Sequence, residues 1–314
     1  MLASDENRWQ LLPWRTFSTD TLTVTKMRSP ILSQFNNIAS SPYRVSPERI
    51  DELREIDIQE SFELNILEGS GFRFGVSSNN SINTNIATLE YLWSSSYAHL
   101  ILYDQYIKCH NAGNKYFDTG QPGIIQSAVD LFKWGTINLN STGNLSWPSG
   151  YPKPKMNMEQ YSWENITNEL FLCSVAWIIH HEVSHVRLKH SALETTNCIQ
   201  EEKEADIAAT LWITEQCNEE ELTKRTLGMV SAILSLQAFE DLKKHEQTRT
   251  HPKAFERIYY CLSHTNLDEN HILYAFTSVI MQIYLAFCGI NVAHDGETFR
   301  DMFSEYIYEY AKNS

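Results

Sequence analysis

A mostly helical α+β fold, with a small antiparallel sheet ahead of a histidine-rich helix, is predicted by three observations. "SFELNIL", "FRFGVSS" and "SINTNIA", between residues 61 and 87, are β-leaning and are punctuated by the turn signals "EGSG" and "SNNS". After residue 88 the chain turns to helical patterns. Among these, "ENITNELFLCSVAWIIHHEVSHVRLKH" runs 27 residues without Gly or Pro.

The elements follow in order. Residues 1–27 form an N-terminal arm. They lack a basic region followed by an apolar one, so they do not read as a secretory signal, and Met27 is an alternative start. Residues 28–60 read as loop then helix, with Ser46 as N-cap and Pro47 at the first helical position. After the sheet, "TLEYLWSSSYAHLILYDQYIKC" is a long amphipathic helix, closed by the loop "AGNKYFDTGQPG". Residues 135–163 are rich in Gly, Pro, Ser and Asn and read as a long surface loop. That loop divides a single domain, 28–314, into a sheet-and-helix part (28–134) and a helical part (164–314). Helices are expected at about 164–190, 197–217 and 219–246. In the last, Leu222, Thr226, Met229, Ile233 and Leu236 recur at helical spacing. "THPKAF" breaks the chain, and two helices end it.

One of those, "ILYAFTSVIMQIYLAFCGI" (272–290), carries no charge over 19 residues. The length reaches that of a membrane span. Thr277, Ser278 and Gln282 within it, and flanks without Lys/Arg enrichment, favour a buried core helix.

The formal net charge is −14 over 314 residues. That field repels phosphate backbones, and no basic patch offsets it, so nucleic acid is excluded as a partner. The six cysteines form no CxxC pair. Together with the missing signal they point to reduced core thiols in a cytoplasmic protein.

The chemistry concentrates in "WIIHHEVSH". His181, Glu182 and His185 make an HExxH pattern. On a helix, positions i and i+4 share a face, so two neutral imidazoles can bind one cation. Glu182, offset by about 100°, can reach a water beside that cation. A catalytic zinc takes three protein ligands and keeps one position open. The next helix offers Glu202 as the third, with Asp206 one turn on to accept a hydrogen bond from a ligand imidazole. Glu201 and Glu204 are rivals without a carboxylate four residues later. "THPKAFERI" adds His251 and Arg257, as stabilisers of an oxyanion or, in the alternative, as a turn cap and a partner for a surface acid. The other histidines, His190 among them, show no ligand-like partners in sequence.

HExxH, then Glu-x-x-Ala-Asp, then HPxxxxRI, resembles the gluzincin metallopeptidases. "MRSPILSQFNNIASSPYRVSPE", "ATLEYLW", "FLCSVAWIIHHEVSHVRLKH", "QEEKEAD", "THPKAFERIY" and "INVAHDGE" are in turn similar to the bacterial Lit phage-exclusion peptidases. The likeness runs from about Met27 to near the C-terminus and leaves residues 1–26 uncovered. It implies a zincin-like fold and a zinc endopeptidase held silent in the cytoplasm. By the same resemblance, a segment of a phage capsid protein associated with elongation factor Tu would trigger cleavage of that factor and stop translation. It assigns His181, His185 and Glu202 to Zn2+ and Glu182 to general-base duty, and puts Asp206, His251 and Arg257 around them. Peripheral association with the inner membrane is compatible with it but not favoured. The alternatives are a housekeeping zinc peptidase and a non-catalytic zinc-binding module. Residues 72–87 are a candidate edge for an extended substrate.

Overall fold

The computed structural model describes residues 29–60, 62–114, 116–141, 145–190, 198–242, 251–292 and 296–313. The N-terminal arm lies outside these. Among the described residues the protein is mostly helical with one three-stranded sheet.

Where a loop was expected, Pro30–Gln34 form a 3-10 turn that leads into helix α1 (Phe35–Val45). Ser46 follows it, and a Pro47–Arg49 turn opens α2 (Ile50–Glu60). The strands are β1 (Glu63–Leu67), β2 (Phe74–Val76) and β3 (Ser81–Asn85), in the order β1-β3-β2. The expected antiparallel sheet is mixed: β2 pairs antiparallel with β3, but β1 runs parallel to β3. The two turn signals do different work. "SNNS" makes a true hairpin, closed by the Ser77 N–H on Ser81 O at 2.9 Å, with Asn80 at φ +61°. "EGSG" makes a crossing, in which Gly69 and Gly71 take φ of +142° and +81°. Asn85 Nδ2 and Thr88 Oγ1 donate to the Gly71 carbonyl at 3.1 and 3.3 Å, so the crossing is tied to the start of the next helix.

That helix, α3 (Ile86–Asn111), is capped by Asn85, whose side chain accepts the Thr88 N–H at 2.7 Å. Its first four turns, Ile86 to His99, are buried on every face, so it is a central helix more than an amphipathic one. α4 (Ile124–Asn140) packs along it. The loop expected from residue 135 therefore begins only after Asn140. Gly135, read as punctuation, is a packing residue: a Cβ there would stand 2.2 Å from Ser94 Oγ.

α5 (Trp163–Arg187) contacts α1, α3, α6 (Cys198–Thr214) and α7 (Glu219–Leu242). Its cap is Ser162, whose hydroxyl accepts the Asn165 N–H at 3.3 Å. α7 approaches closely because Gly228 has no side chain. A Cβ there would stand 2.3 Å from that of Cys173, and Ser174 Oγ donates to the Gly228 carbonyl at 2.7 Å. Three helices, one more than expected, complete the chain: α8 (Ala254–Ser263), α9 (Ile272–Phe287) and α10 (Phe299–Asn313). α9 is largely buried against its neighbours, and no described helix is long and apolar enough to cross a membrane.

Candidate metal centre

One helical turn on α5 separates His181 from His185, and their Nε2 atoms face each other at 3.0 Å. α6 packs across α5 and brings the Glu202 carboxylate to both. Its Oε2 lies 3.3 Å from His181 Nε2 and its Oε1 3.4 Å from His185 Nε2. Tetrahedral bonds of about 2.0 to 2.2 Å separate neighbouring donors by roughly 3.3 to 3.6 Å, so the three side chains fit one small cation. Glu202 Oε2 is buried and accepts no hydrogen bond among the described residues, an arrangement that a cation satisfies. Burial pushes the Glu202 carboxyl up, but the His181 and His185 imidazoles beside it outweigh this and hold the group well below the carboxylate range.

Behind His181 lies a charged cluster inside the protein. His181 Nδ1 is 2.7 Å from Asp206 Oδ1. Arg257 reaches the same carboxylate with two prongs, Nε to Oδ2 at 2.8 Å and Nη2 to Oδ1 at 2.6 Å. The Tyr260 hydroxyl also donates to Oδ2. Burial alone would raise Asp206, yet Arg257 and His181 hold it at about 2. Burial alone would lower His181; the Asp206 carboxylate reverses this and lifts it to about 10. Tyr260 is absent from the sequence reading; its only signal there is the i, i+3 spacing from Arg257.

The expected oxyanion role for Arg257 does not match its position. Its guanidinium is buried, committed to Asp206 and set over the Trp177 ring at 5.8 Å, so it acts on the site through Asp206 and His181. His251 does reach the site. Its Nε2 is 3.4 Å from Glu202 Oε1, and its side chain is 57% exposed at the rim.

His185 has a different support, also missed in sequence. His190 Nδ1 lies 3.0 Å from His185 Nδ1, and His190 Nε2 lies 3.3 Å from Glu204 Oε2. Just past the end of α5, Lys189 takes φ +58° and the His190 N–H bonds back to the His185 carbonyl at 3.0 Å. That reversal turns His190 onto His185. His180 faces away, stacked on Trp212 at 5.1 Å.

Glu182, on the neighbouring face of α5, is buried, and its Oε2 accepts the backbone N–H of Val76 on β2 at 2.9 Å. A carboxylate thus sits beside a two-histidine, one-glutamate donor set, which is the equipment for hydrolysis assisted by a cation.

The Peptidase U49 family matches residues 82–277, the stretch from β3 to α9 that holds all seven site residues expected from the sequence. The cell death peptidase of Escherichia coli (strain K12) is 34% identical over 293 residues, 91% of this chain and 99% of that protein. The chain belongs to the peptidase U49 family. No solved structure matches this U49 peptidase. In this U49 peptidase the residues brought together come from α5, α6, the segment before α8, and β2.

Proposed function

We propose that this U49 peptidase is a zinc-dependent endopeptidase of zincin-like design that acts in the cytoplasm during phage infection. Its substrate is elongation factor Tu, cut when a segment of a phage capsid protein is present, so that translation stops. The convergence of His181, His185 and Glu202 beside the Glu182 carboxylate is the observation that carries the reading. The name of its Escherichia coli relative, a cell death peptidase, supports the suicidal outcome. The similarity to Lit phage-exclusion peptidases supports the substrate and the trigger.

His181, His185 and Glu202 would hold the metal, which supplies a Lewis acid next to the scissile carbonyl. Glu182 takes the proton of the attacking water and returns it to the leaving amine. His251, at the rim and half-exposed, is placed to donate to the carbonyl oxygen as charge develops. Asp206 keeps a proton on His181 Nδ1 and so leaves Nε2 for the metal, while Arg257 and Tyr260 keep Asp206 ionised and in place.

Metal per chain in wild type, His185→Ala and Glu202→Ala tests the centre without needing an activator. About one zinc in wild type and a large loss in both variants is expected; no zinc after reconstitution overturns the reading. Incubation with elongation factor Tu, with and without the capsid segment, then tests the substrate. Cleavage by wild type and none by Glu182→Gln, which keeps its zinc, is the expected result. Intact elongation factor under both conditions overturns the substrate assignment.

A further inference from the structure

β2 is a three-residue edge strand, and among the described residues only one side of it is paired with another strand. Its partner positions on β3 are Phe74 with Thr84, Gly75 with Asn83 and Val76 with Ile82. Ser77, one residue on, turns its N–H inward to the Ser81 carbonyl. In an antiparallel pair, inward and outward N–H groups alternate. Gly75 and Ser77 therefore face β3, and Val76 faces away from it, toward α5. There the Val76 N–H meets Glu182 Oε2 at 2.9 Å. A sheet donor that would otherwise be spent on water is aimed at the one carboxylate of the HExxH segment, 106 residues away in sequence.

We infer that the Val76 backbone N–H is the positioning group for Glu182: it fixes one carboxylate oxygen and leaves the other to take the proton from water. This rests on the reading of Glu182 as the base. The chemistry supports it in two ways. A hydrogen bond from a backbone N–H to a carboxylate is charge-assisted and directional, so it holds the carboxylate in one orientation. The donor belongs to a sheet and not to a side chain, so it carries no rotamer freedom of its own. The same bond limits how a peptide strand adds to β2. With the Val76 N–H engaged, the outward backbone groups left on the strand are those of Phe74 and the Val76 carbonyl. The candidate edge expected over residues 72–87 thus narrows to the Phe74 end of β2.

Amide exchange tests the contact without a substrate. An outward N–H on an edge strand has no ladder partner, so its protection depends on Glu182. Exchange at Val76, followed by NMR in the full chain, is expected to be slow in wild type and in Glu182→Gln, whose amide oxygen still accepts. It is expected to accelerate at least about tenfold in Glu182→Ala, the loss of one charge-assisted hydrogen bond. Equal exchange in all three overturns the inference.

Turnover tests the consequence on elongation factor Tu with the capsid segment. Val76→Pro removes the N–H at an edge position where proline leaves the ladder intact. Val76→Ala, which keeps the N–H, sets the cost of losing the side chain. Relative to it, kcat is expected to fall roughly 10- to 100-fold with KM and zinc content steady. An amide-to-ester replacement at the same bond is expected to do the same and covers the case in which proline disturbs the strand. Full kcat in the ester variant, with Glu182→Gln inactive, overturns the inference and spares the base. Full kcat in Glu182→Gln removes the base and the inference with it. Where elongation factor Tu is not cut at all, the substrate assignment fails and the exchange result decides for Val76 by itself.

Discussion

His181 and His185 sit one turn apart on α5 and present the same atom to the same carboxylate, yet they are held from behind in opposite ways. His181 backs onto Asp206, which is fully buried and locked by Arg257 and Tyr260. His185 backs onto His190, just past the end of the same helix, and through it onto the half-exposed Glu204. One imidazole is built into the core; the other is built into a helix terminus. Core support couples the metal centre to folding, because its charges have no water to fall back on. Terminal support tunes the ligand and leaves the fold alone.

The largest expected effect breaks the core side. Asp206→Ala leaves the Arg257 guanidinium buried without a counter-charge. Removing one partner of a buried pair costs about 3 to 5 kcal/mol. Denaturant unfolding of the metal-stripped protein measures it. A loss under about 1 kcal/mol would mean that the cluster is hydrated and that the two histidines are supported alike.

His190→Ala sharpens the contrast from the other side. Losing the group behind a ligand imidazole lowers metal affinity about 10- to 100-fold. Unfolding of the metal-stripped protein is expected to move by less than about 1 kcal/mol, as for most changes outside the core. Competition titration with a zinc chelator reads the first quantity, and the same denaturant curve reads the second. A variant that loses stability as heavily as Asp206→Ala would erase the distinction.

Much of this centre was legible in sequence, and the reason is helical geometry. The i, i+4 spacings of His181 with His185 and of Glu202 with Asp206 fix faces without any knowledge of the fold. Partners that depend on how helices cross were not legible. Arg257 was open between substrate and a surface acid, and only the packing of α8 against α6 gives it the buried Asp206. His190 follows the motif by five residues, but only the left-handed turn at Lys189 folds it back. The sheet shows the same limit. "SNNS" encodes a hairpin locally, whereas the parallel pairing of β1 with β3 depends on a crossing anchored by Asn85 and Thr88. Gly135 was misread because a glycine for close packing and a glycine for a turn look identical in sequence.

A third histidine calibrates what the acid behind His181 does. His99 is equally buried but hydrogen-bonds to Ser231 and Tyr284, with no carboxylate, and burial lowers it to about 3. Its folded value is below its unfolded value of about 6.5. Its neutral form is therefore fully accommodated above pH 6.5. As pH falls from there toward 3, the unfolded chain takes a proton that the folded one refuses, and stability drops by up to about 1.4 kcal/mol per pH unit. His181 runs the other way in the metal-stripped protein. Raised to about 10, it contributes stability below pH 6.5 that is lost as pH climbs toward 10. Unfolding midpoints of wild type and His99→Gln between pH 7 and 5 should separate the two. The variant's midpoint is expected to fall less steeply with acid; parallel curves would mean that His99 titrates normally.

The smallest effect belongs to Glu204, and its smallness is the point. Glu204 touches His190 Nε2 at 3.3 Å, but its side chain is about half exposed and also takes a hydrogen bond from Gln200. Glu204→Gln keeps an acceptor for His190 and removes only a solvent-screened charge, so zinc affinity is expected to drop about two- to threefold at low salt. In high salt the charge is screened in wild type as well, and the two proteins should then bind zinc equally. Asp206→Asn makes the matching change at the buried site, where salt cannot enter, and its affinity deficit should persist at every ionic strength. A deficit in Glu204→Gln that also survived salt would show that the terminal support is as enclosed as the core one, and the contrast between the two histidines would have to be abandoned.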